Sequence, residues 1–237
     1  MQAGDIFEAT LVYCFLDMED QKNVPLSGAL SKALPSLKLL KEVLVPMFNP
    51  AAPELPVSDK VYLRGLYLQD VEFLHQLLSA NREHLDNFLP WLNRLETVDH
   101  VRDFVKRARY KDIYEGRWVY GIVFDEVLVG MIDFNDGKIN ESEIAVGYWL
   151  SKDYQGKGIM TRSVQTCVDY LFGEESVNKI LIKVALGNDK SMGIPNRLDF
   201  KWDGVDVGGG KLKGEKVDLV VYSLDRPTWE ARQWASI

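Results

Sequence analysis

Apolar residues recur along the chain with two different periods, and the switches between them lay out the elements. Val61 to Leu66 reads as a strand, and Asp70 then opens a helix. In that helix Val71, Phe73, Leu74, Leu77 and Leu78 return at about the 3.6-residue period. Thr97 begins a second helix, with Val101, Phe104 and Val105 on one face. Trp118 to Phe124 and Leu128 to Phe134 read as strands joined by the turn Asp125-Glu126, which makes a hairpin. Asp136-Gly137 marks the next turn, and Glu143 to Leu150 is a further strand. Ile159 to Phe172 is a helix whose apolar face carries Met160, Val164, Cys167, Val168 and Leu171. Ile180 to Leu186 is a continuous apolar run, as expected of a strand buried on both faces. Ser191 to Leu198 reads as a short helix that contains Pro195, and Val217 to Leu224 is the final strand. Gly208-Gly209-Gly210-Lys211 reads as a flexible hairpin, because no helical pattern follows it. Antiparallel hairpins followed by strand, helix and strand predict an α+β domain on one central, mixed, twisted sheet flanked by helices.

The first 56 residues stand apart. Ile6 to Leu16 has strand composition, and Pro35 is placed to start a helix with Leu37, Leu40, Leu44 and Met47 at helical spacing. The closely spaced prolines of Asn49 to Pro56 can continue neither a helix nor a central strand, and set the boundary. The expected organisation is an N-terminal extension over 1–56 and a main domain over 57–237. The plain role for the extension is packing on that domain; a dimerisation arm is the functional one.

Charge and cysteine content narrow the function classes. A net charge of −7 argues against general nucleic-acid binding, which needs a basic face. Arg102, Lys106, Arg107, Arg109 and Lys111 form a local basic run, for which a solvated helix face is the simpler account. Cys14 and Cys167 lie far apart, and the chain has no CxxC and no Cys/His cluster, so no metal site is expected. Free thiols, the lack of a signal-peptide pattern and the lack of a bilayer-length apolar run predict a cytoplasmic protein with no membrane partner.

The chemistry concentrates at the end of the Glu143 strand. Tyr148, Trp149 and Leu150 run into Gln155-Gly156-Lys157-Gly158, and Ile159-Met160 opens the next helix. Glycines allow a ligand to approach the backbone closely, and a helix start offers unpaired N–H groups and positive dipole. A pyrophosphate suits such a site, with Lys157 adding charge. The spacing is neither the GxxxxGK[ST] of a Walker loop nor the GxGxxG of dinucleotide folds.

This segment resembles the Q/R-x-x-G-x-G/A signature of the GNAT superfamily of N-acetyltransferases. Gly147-Tyr148-Trp149-Leu150, Asn188-Asp189-Lys190-Ser191, Arg197-Leu198-Asp199-Phe200 and Leu63-Arg64-Gly65-Leu66 resemble its RimJ/RimL-type branch. The likeness spans roughly residues 58–226. It implies the GNAT fold, with acetyl-CoA as cosubstrate and an amine as acceptor: a protein N-terminus or a small molecule. It also implies direct attack of that amine in a ternary complex. By resemblance, the backbone of Val146 to Trp149 pairs with the pantetheine arm, Asn188 steadies the cofactor, and Ser191 donates to the departing thiolate, a helix N-cap being its other role. Many members of the family pair as homodimers.

Three positions depart from the branch pattern. The usual strand glutamate is Ala145, a later acidic position falls near Gly210, and Asp199 replaces the closing glycine. Asp tolerates a left-handed backbone better than most residues, so the turn is expected to survive. The general base must then come from elsewhere. Glu143 is the first candidate, because residues two apart on a strand share a face, and Asp133 is the second. Of the three histidines, His84 sits where early helices roof the acceptor site in this family, whereas His75 and His100 read as surface or capping residues. Trp91, in Phe88-Leu89-Pro90-Trp91, is expected to wall the amine pocket. The alternative function is a catalytically weak acyl-CoA-binding module with a regulatory or interaction role.

Overall fold

The structure is a computed structural model that describes residues 52–115, 118–135, 142–174 and 177–235. The expected N-terminal strand and helix, Cys14 and the Asp136-Gly137 turn lie outside the described residues. Strands β1 (Leu55–Ser58) and β2 (Val61–Gly65) lead into helices α1 (Val71–Ala80), α2 (Arg82–Leu85) and α3 (Val98–Glu115). Then come β3 (Val119–Phe124), β4 (Val127–Asn135), β5 (Glu143–Leu150) and α4 (Ile159–Glu174). The order closes with β6 (Lys179–Ala185), α5 (Asp189–Arg197), β7 (Lys201–Leu212), β8 (Glu215–Asp225) and α6 (Arg226–Ala235).

The eight strands form one sheet in the order β1-β2-β3-β4-β5-β6-β8-β7, antiparallel except where β5 meets β6. Two buried clusters flank it. One joins β-sheet residues such as Leu63, Ile122, Ile144 and Ile182 to Val164, Val168 and Phe172 of α4. The other joins Leu74 and Leu78 of α1 and Val101 and Val105 of α3 to Met131 and Trp149 of the sheet. On β5 the pleat divides the residues between the two: Ile144, Val146 and Leu150 belong to the first cluster, Trp149 to the second.

Local chemistry explains several junctions. Asp70 precedes α1 but does not cap it with its side chain. Its carboxylate turns back to take a two-pronged bond from the Arg64 guanidinium, at 2.8 Å each, and a third from the Tyr67 N–H at 2.7 Å. Thr97 does cap α3, accepting the His100 N–H at 3.2 Å. Asp125 and Glu126 make the β3–β4 turn with φ of 45° and 66°, the left-handed pair a tight hairpin requires. Asp199 takes φ 52°, so the left-handed turn expected of it is present.

Two strands and two helices, one of them the short α2, differ from the sequence reading. β1 starts at Leu55, inside the proline run; it is an edge strand, the position in a sheet where a proline such as Pro56 is tolerated. Gly208 to Lys211 is part of β7, and the hairpin turns later, at Lys213-Gly214. α6 follows β8, with Trp229 packed on Phe172 at 5.5 Å between ring centroids.

Candidate active site

The sheet opens in its middle. β5 pairs with β4 along most of its length, from Asn135↔Ala145 to Gly130↔Leu150. On its other side β5 pairs with β6 only from Glu143↔Lys179 to Ala145↔Leu181. β6 continues beside β8 as far as Ala185↔Leu219. From Val146 onward, therefore, β5 and β6 part, and each presents an edge of backbone N–H and C=O groups without a strand partner. The gap is part of a cleft of about 1770 Å³, lined by Val146 to Leu150 on one lip and Ile182 to Ala185 on the other. An extended ligand with amide groups can complete such an edge.

The loop after β5 closes one end of the cleft. A single 3₁₀ turn, Lys152–Tyr154, leads to Gln155, and Gly156 and Gly158 both take φ 72° before α4 begins at Ile159. Alternating left-handed residues turn successive N–H groups toward one point, next to the unpaired N–H groups of the helix start. Gly156, Gly158, Ile159 and Met160 all line the cleft. Lys157 does not: its ammonium lies 5.1 Å over the Tyr154 ring. Lys152, Lys190 and Arg197 are the cations that line this end. The sequence signal for the last two was available. Lys190, Ile194 and Arg197 recur at helical spacing on α5, with Ser191 beside them, and all four face the cleft.

Gln155 is held from three directions. Its amide nitrogen donates to the Leu150 carbonyl at 3.2 Å and lies 2.6 Å from His84 Nε2, while its oxygen accepts from Lys190 Nζ at 3.2 Å. The Leu150 and Lys190 contacts fix which end of the amide is which, so His84 Nε2 accepts and the ring is neutral. Burial, then the nearby charges of Lys190 and Lys152, hold His84 below the ordinary histidine value, in agreement. His84 thus joins the α2 wall to the glycine loop. The Asn81 side chain makes a second tie, accepting the Lys152 N–H at 2.9 Å.

The N-cap of α5 is Asn188, whose side-chain oxygen accepts the Ser191 N–H at 3.3 Å. Ser191 is therefore not the cap, the alternative role weighed for it, and it lines the cleft. Its carbonyl has an unusual partner. Pro195, four residues on, has no N–H to give it, and the Tyr148 hydroxyl donates to it instead at 3.0 Å. The proline that sits awkwardly in the sequence pattern frees a carbonyl that ties β5 to α5 across the gap. Burial pushes the Tyr148 phenol well above the ordinary tyrosine range, so it stays protonated.

The opposite wall comes from the second cluster. Phe88, Leu89, Pro90 and Trp91 line it, and Trp91 stacks on Phe104 of α3 with centroids 6.1 Å apart and planes 8° from parallel. Asp133 lines the cleft here. It lies opposite Gly147 in the β4–β5 ladder, hence on the same face as Ala145 and Trp149. Glu143 is not among the cleft residues. It is exposed at the start of β5, with its carboxylate 3.6 Å from Lys179 Nζ. His75 and His100 are also off the cleft; His75 bonds the Glu96 carbonyl at 3.1 Å. Arg94 and Arg107, which the sequence reading did not single out for the site, line this wall.

A parted parallel strand pair, a glycine loop at its mouth and a helix start aimed into the gap match a known family. The profile of the acetyltransferase (GNAT) domain fits residues 60–201. The chain belongs to the GNAT acetyltransferases. Among its GNAT relatives is YdaF of Bacillus subtilis (strain 168), a candidate ribosomal N-acetyltransferase, 30% identical over 180 residues, or 75% of this chain and 97% of that one. The ribosomal-protein-serine acetyltransferase of Escherichia coli (strain K12) is 23% identical over 150 residues, 63% of this chain and 84% of that one. The fold matches a RimL ribosomal L7/L12 alpha-N-protein acetyltransferase solved with coenzyme A, with TM-score 0.71 at 24% identity, over 74% of this chain and 99% of that one. The GNAT assignment makes the chain an acyl-transferring enzyme, and its relatives place it with the RimL/RimJ-like members.

Proposed function

We propose that the protein transfers an acetyl group from acetyl-CoA to the α-amine of a protein N-terminus, by direct attack with both substrates bound. The observation that carries this is the parting of β5 from β6 at Val146, beside a loop of two left-handed glycines. The residues present fit acetyl-CoA: an open strand edge for an amide-bearing arm, N–H groups and three cations for phosphates. Acetyl-CoA supplies the activated acetyl group. Relatives named for ribosomal-protein acetylation favour a protein amine, which implies a cytoplasmic site of action.

The chain's own groups divide the work. The loop at Gly156 and Gly158, with Lys152, Lys190 and Arg197 near it, holds the phosphates. The free edge of β5 orients the pantetheine arm, and one of its N–H groups stabilises charge on the carbonyl oxygen. Asp133 receives the proton of the attacking amine, directly or through one water. The Ser191 hydroxyl offers a hydrogen bond and a proton to the leaving sulfur, and Tyr148, through its bond to the Ser191 carbonyl, holds that residue across the gap. Trp91 walls the amine pocket, and His84 positions Gln155.

The test is thiol release from acetyl-CoA. Release is expected with peptides bearing a free N-terminus, at a rate well above the acceptor-free background, and mass spectrometry is expected to find acetyl on the α-amine. Bound acetyl-CoA without acceptor-dependent release would leave only a binding module.

The His84 contact adds a pH dependence. With a lowered folded value, the ring resists a proton that it would take when unfolded. Acid therefore works against the folded contact: a charged imidazolium donates from both nitrogens and cannot accept from Gln155. Acetyl-CoA affinity is expected to weaken as pH falls from about 7 to about 5. The same titration of His84→Ala gives the background from the ligand's own ionisation. Identical profiles for the two proteins would remove this role from His84.

A further inference from the structure

The amine-binding wall of the cleft is cationic in an acidic protein. Its charged side chains are Arg94, in the turn after Trp91, and Arg107 of α3, against one carboxylate, Asp133. Both arginines are on the α2–α3 side, not on the loop or α5 that face the phosphates. Neither pairs with a carboxylate among the described residues. Their neighbours do: Arg64 holds Asp70 at 2.8 Å, and Arg102 lies 3.4 Å from Glu72 and 3.7 Å from Asp99. The chain as a whole carries −7, so two cations against one carboxylate on this wall run against the general charge. Trp149, on the same wall, adds a buried indole N–H with no acceptor among the described residues.

Such a wall discriminates among amines by their surroundings. An acceptor with several ammonium groups, such as a polyamine, brings its second and third charges against Arg94 and Arg107. An amine followed by carboxylates is attracted instead, because each guanidinium can take a carboxylate in a two-pronged bond. The two cations also favour the neutral form of the attacking amine, the form that reacts. We propose that the preferred acceptor is an N-terminus followed within a few residues by Asp or Glu, with Arg94 and Arg107 as the specificity-determining pair. This rests on the proposed N-acetyltransferase reading and names its substrate class. A phosphate-bearing small amine is the competing source of negative charge.

Binding to the CoA-loaded full chain separates these outcomes from turnover. The probes are fluorescently tagged peptides that begin Ser-Asp-Glu, Ser-Ala-Ala or Ser-Lys-Arg, with adenosine monophosphate, inorganic phosphate and spermidine as competitors. The acidic peptide is expected to bind roughly fivefold to tenfold tighter than the neutral one, and the basic peptide weakest. The advantage is expected to disappear in Arg94→Gln/Arg107→Gln and to reverse in Arg94→Glu/Arg107→Glu. The thermal shift given by acetyl-CoA reports that these variants are folded. Equal binding of the three peptides, no peptide binding, or a preference that survives both double variants would overturn the proposal. So would displacement of the acidic peptide by adenosine monophosphate or phosphate at comparable concentration. Acidic-peptide binding that depends on the two arginines, without thiol release, would instead count against the acetyltransferase reading and leave only the recognition of an acidic N-terminus by Arg94 and Arg107.

Discussion

Asp133→Asn is expected to lower kcat/KM for peptide acetylation by about 10²–10³-fold, the lower part of the range for loss of a positioned general base. The change removes the proton-accepting charge and keeps the side chain's shape. Asp133 lies on β4 opposite Gly147, on the sheet face that carries Ala145 and Trp149, and it lines the cleft. The loop proposed to hold the phosphates belongs to other elements, so the acetyl-CoA thermal shift should be unchanged. Glu143→Gln is the paired control: Glu143 is exposed, paired with Lys179 and outside the cleft lining, so kcat/KM should stay within about twofold. Steady-state thiol release for the two variants decides between the carboxylates. A large loss in Glu143→Gln with near-normal Asp133→Asn would reverse the assignment.

Gly130→Ala is expected to cost about 3 kcal/mol of stability, which lowers Tm by roughly 6–12 °C for a domain of this size. A Cβ at Gly130 would lie 2.4 Å from the Trp149 carbonyl oxygen and 3.0 Å from the Leu150 Cα. Those are backbone atoms of β5, paired to β4 at this point, and they cannot swing aside as a side chain can. The strands must separate where β5 delivers the chain to the glycine loop, so acetyl-CoA binding should weaken along with Tm. Gly121→Ala is the comparison. Its nearest neighbour, at 2.6 Å, is the Leu128 Cδ1, the far end of a flexible side chain. A thermal melt of both variants should separate them clearly; equal Tm values would mean that β5 can shift at no cost.

How much was legible in the sequence depended on which faces of each element are buried. β3 to β6 and α4 carry strong apolar periods because both sides of the central sheet are covered, and their limits follow from the pattern alone. β7 carries none. It is an edge strand, exposed over most of its length, with Trp202, Val205 and Val207 open to solvent, so burial imposes no alternation on it. Its glycines read as a loop for the same reason. β1 was hidden by prolines that only an edge strand accepts.

The site shows the same division. Glycine spacing and the helix start exposed the loop, since φ 72° at Gly156 and Gly158 is a demand on residue type. The rule that residues two apart share a strand face linked Glu143 to Ala145 correctly in direction. It says nothing about depth. How far along β5 the cleft begins depends on how many rungs β6 pairs, and that register is a tertiary fact. The exchange of roles between Asn188 and Ser191, and the Tyr148 bond to a carbonyl freed by Pro195, needed the folded geometry. The cations of α5 did not: a helical-face reading of Lys190, Ile194 and Arg197 places them together.

The gap between β5 and β6, with the glycine loop at its mouth, is proposed to bind acetyl-CoA. Thermal unfolding with and without saturating acetyl-CoA tests it most directly, with ATP at the same concentration as the control for a generic phosphate. At a hundredfold excess over Kd, binding adds about 2.7 kcal/mol. The predicted result is a rise in Tm of roughly 5–10 °C with acetyl-CoA and none with ATP. No shift with acetyl-CoA, or an equal shift with ATP, would contradict the account.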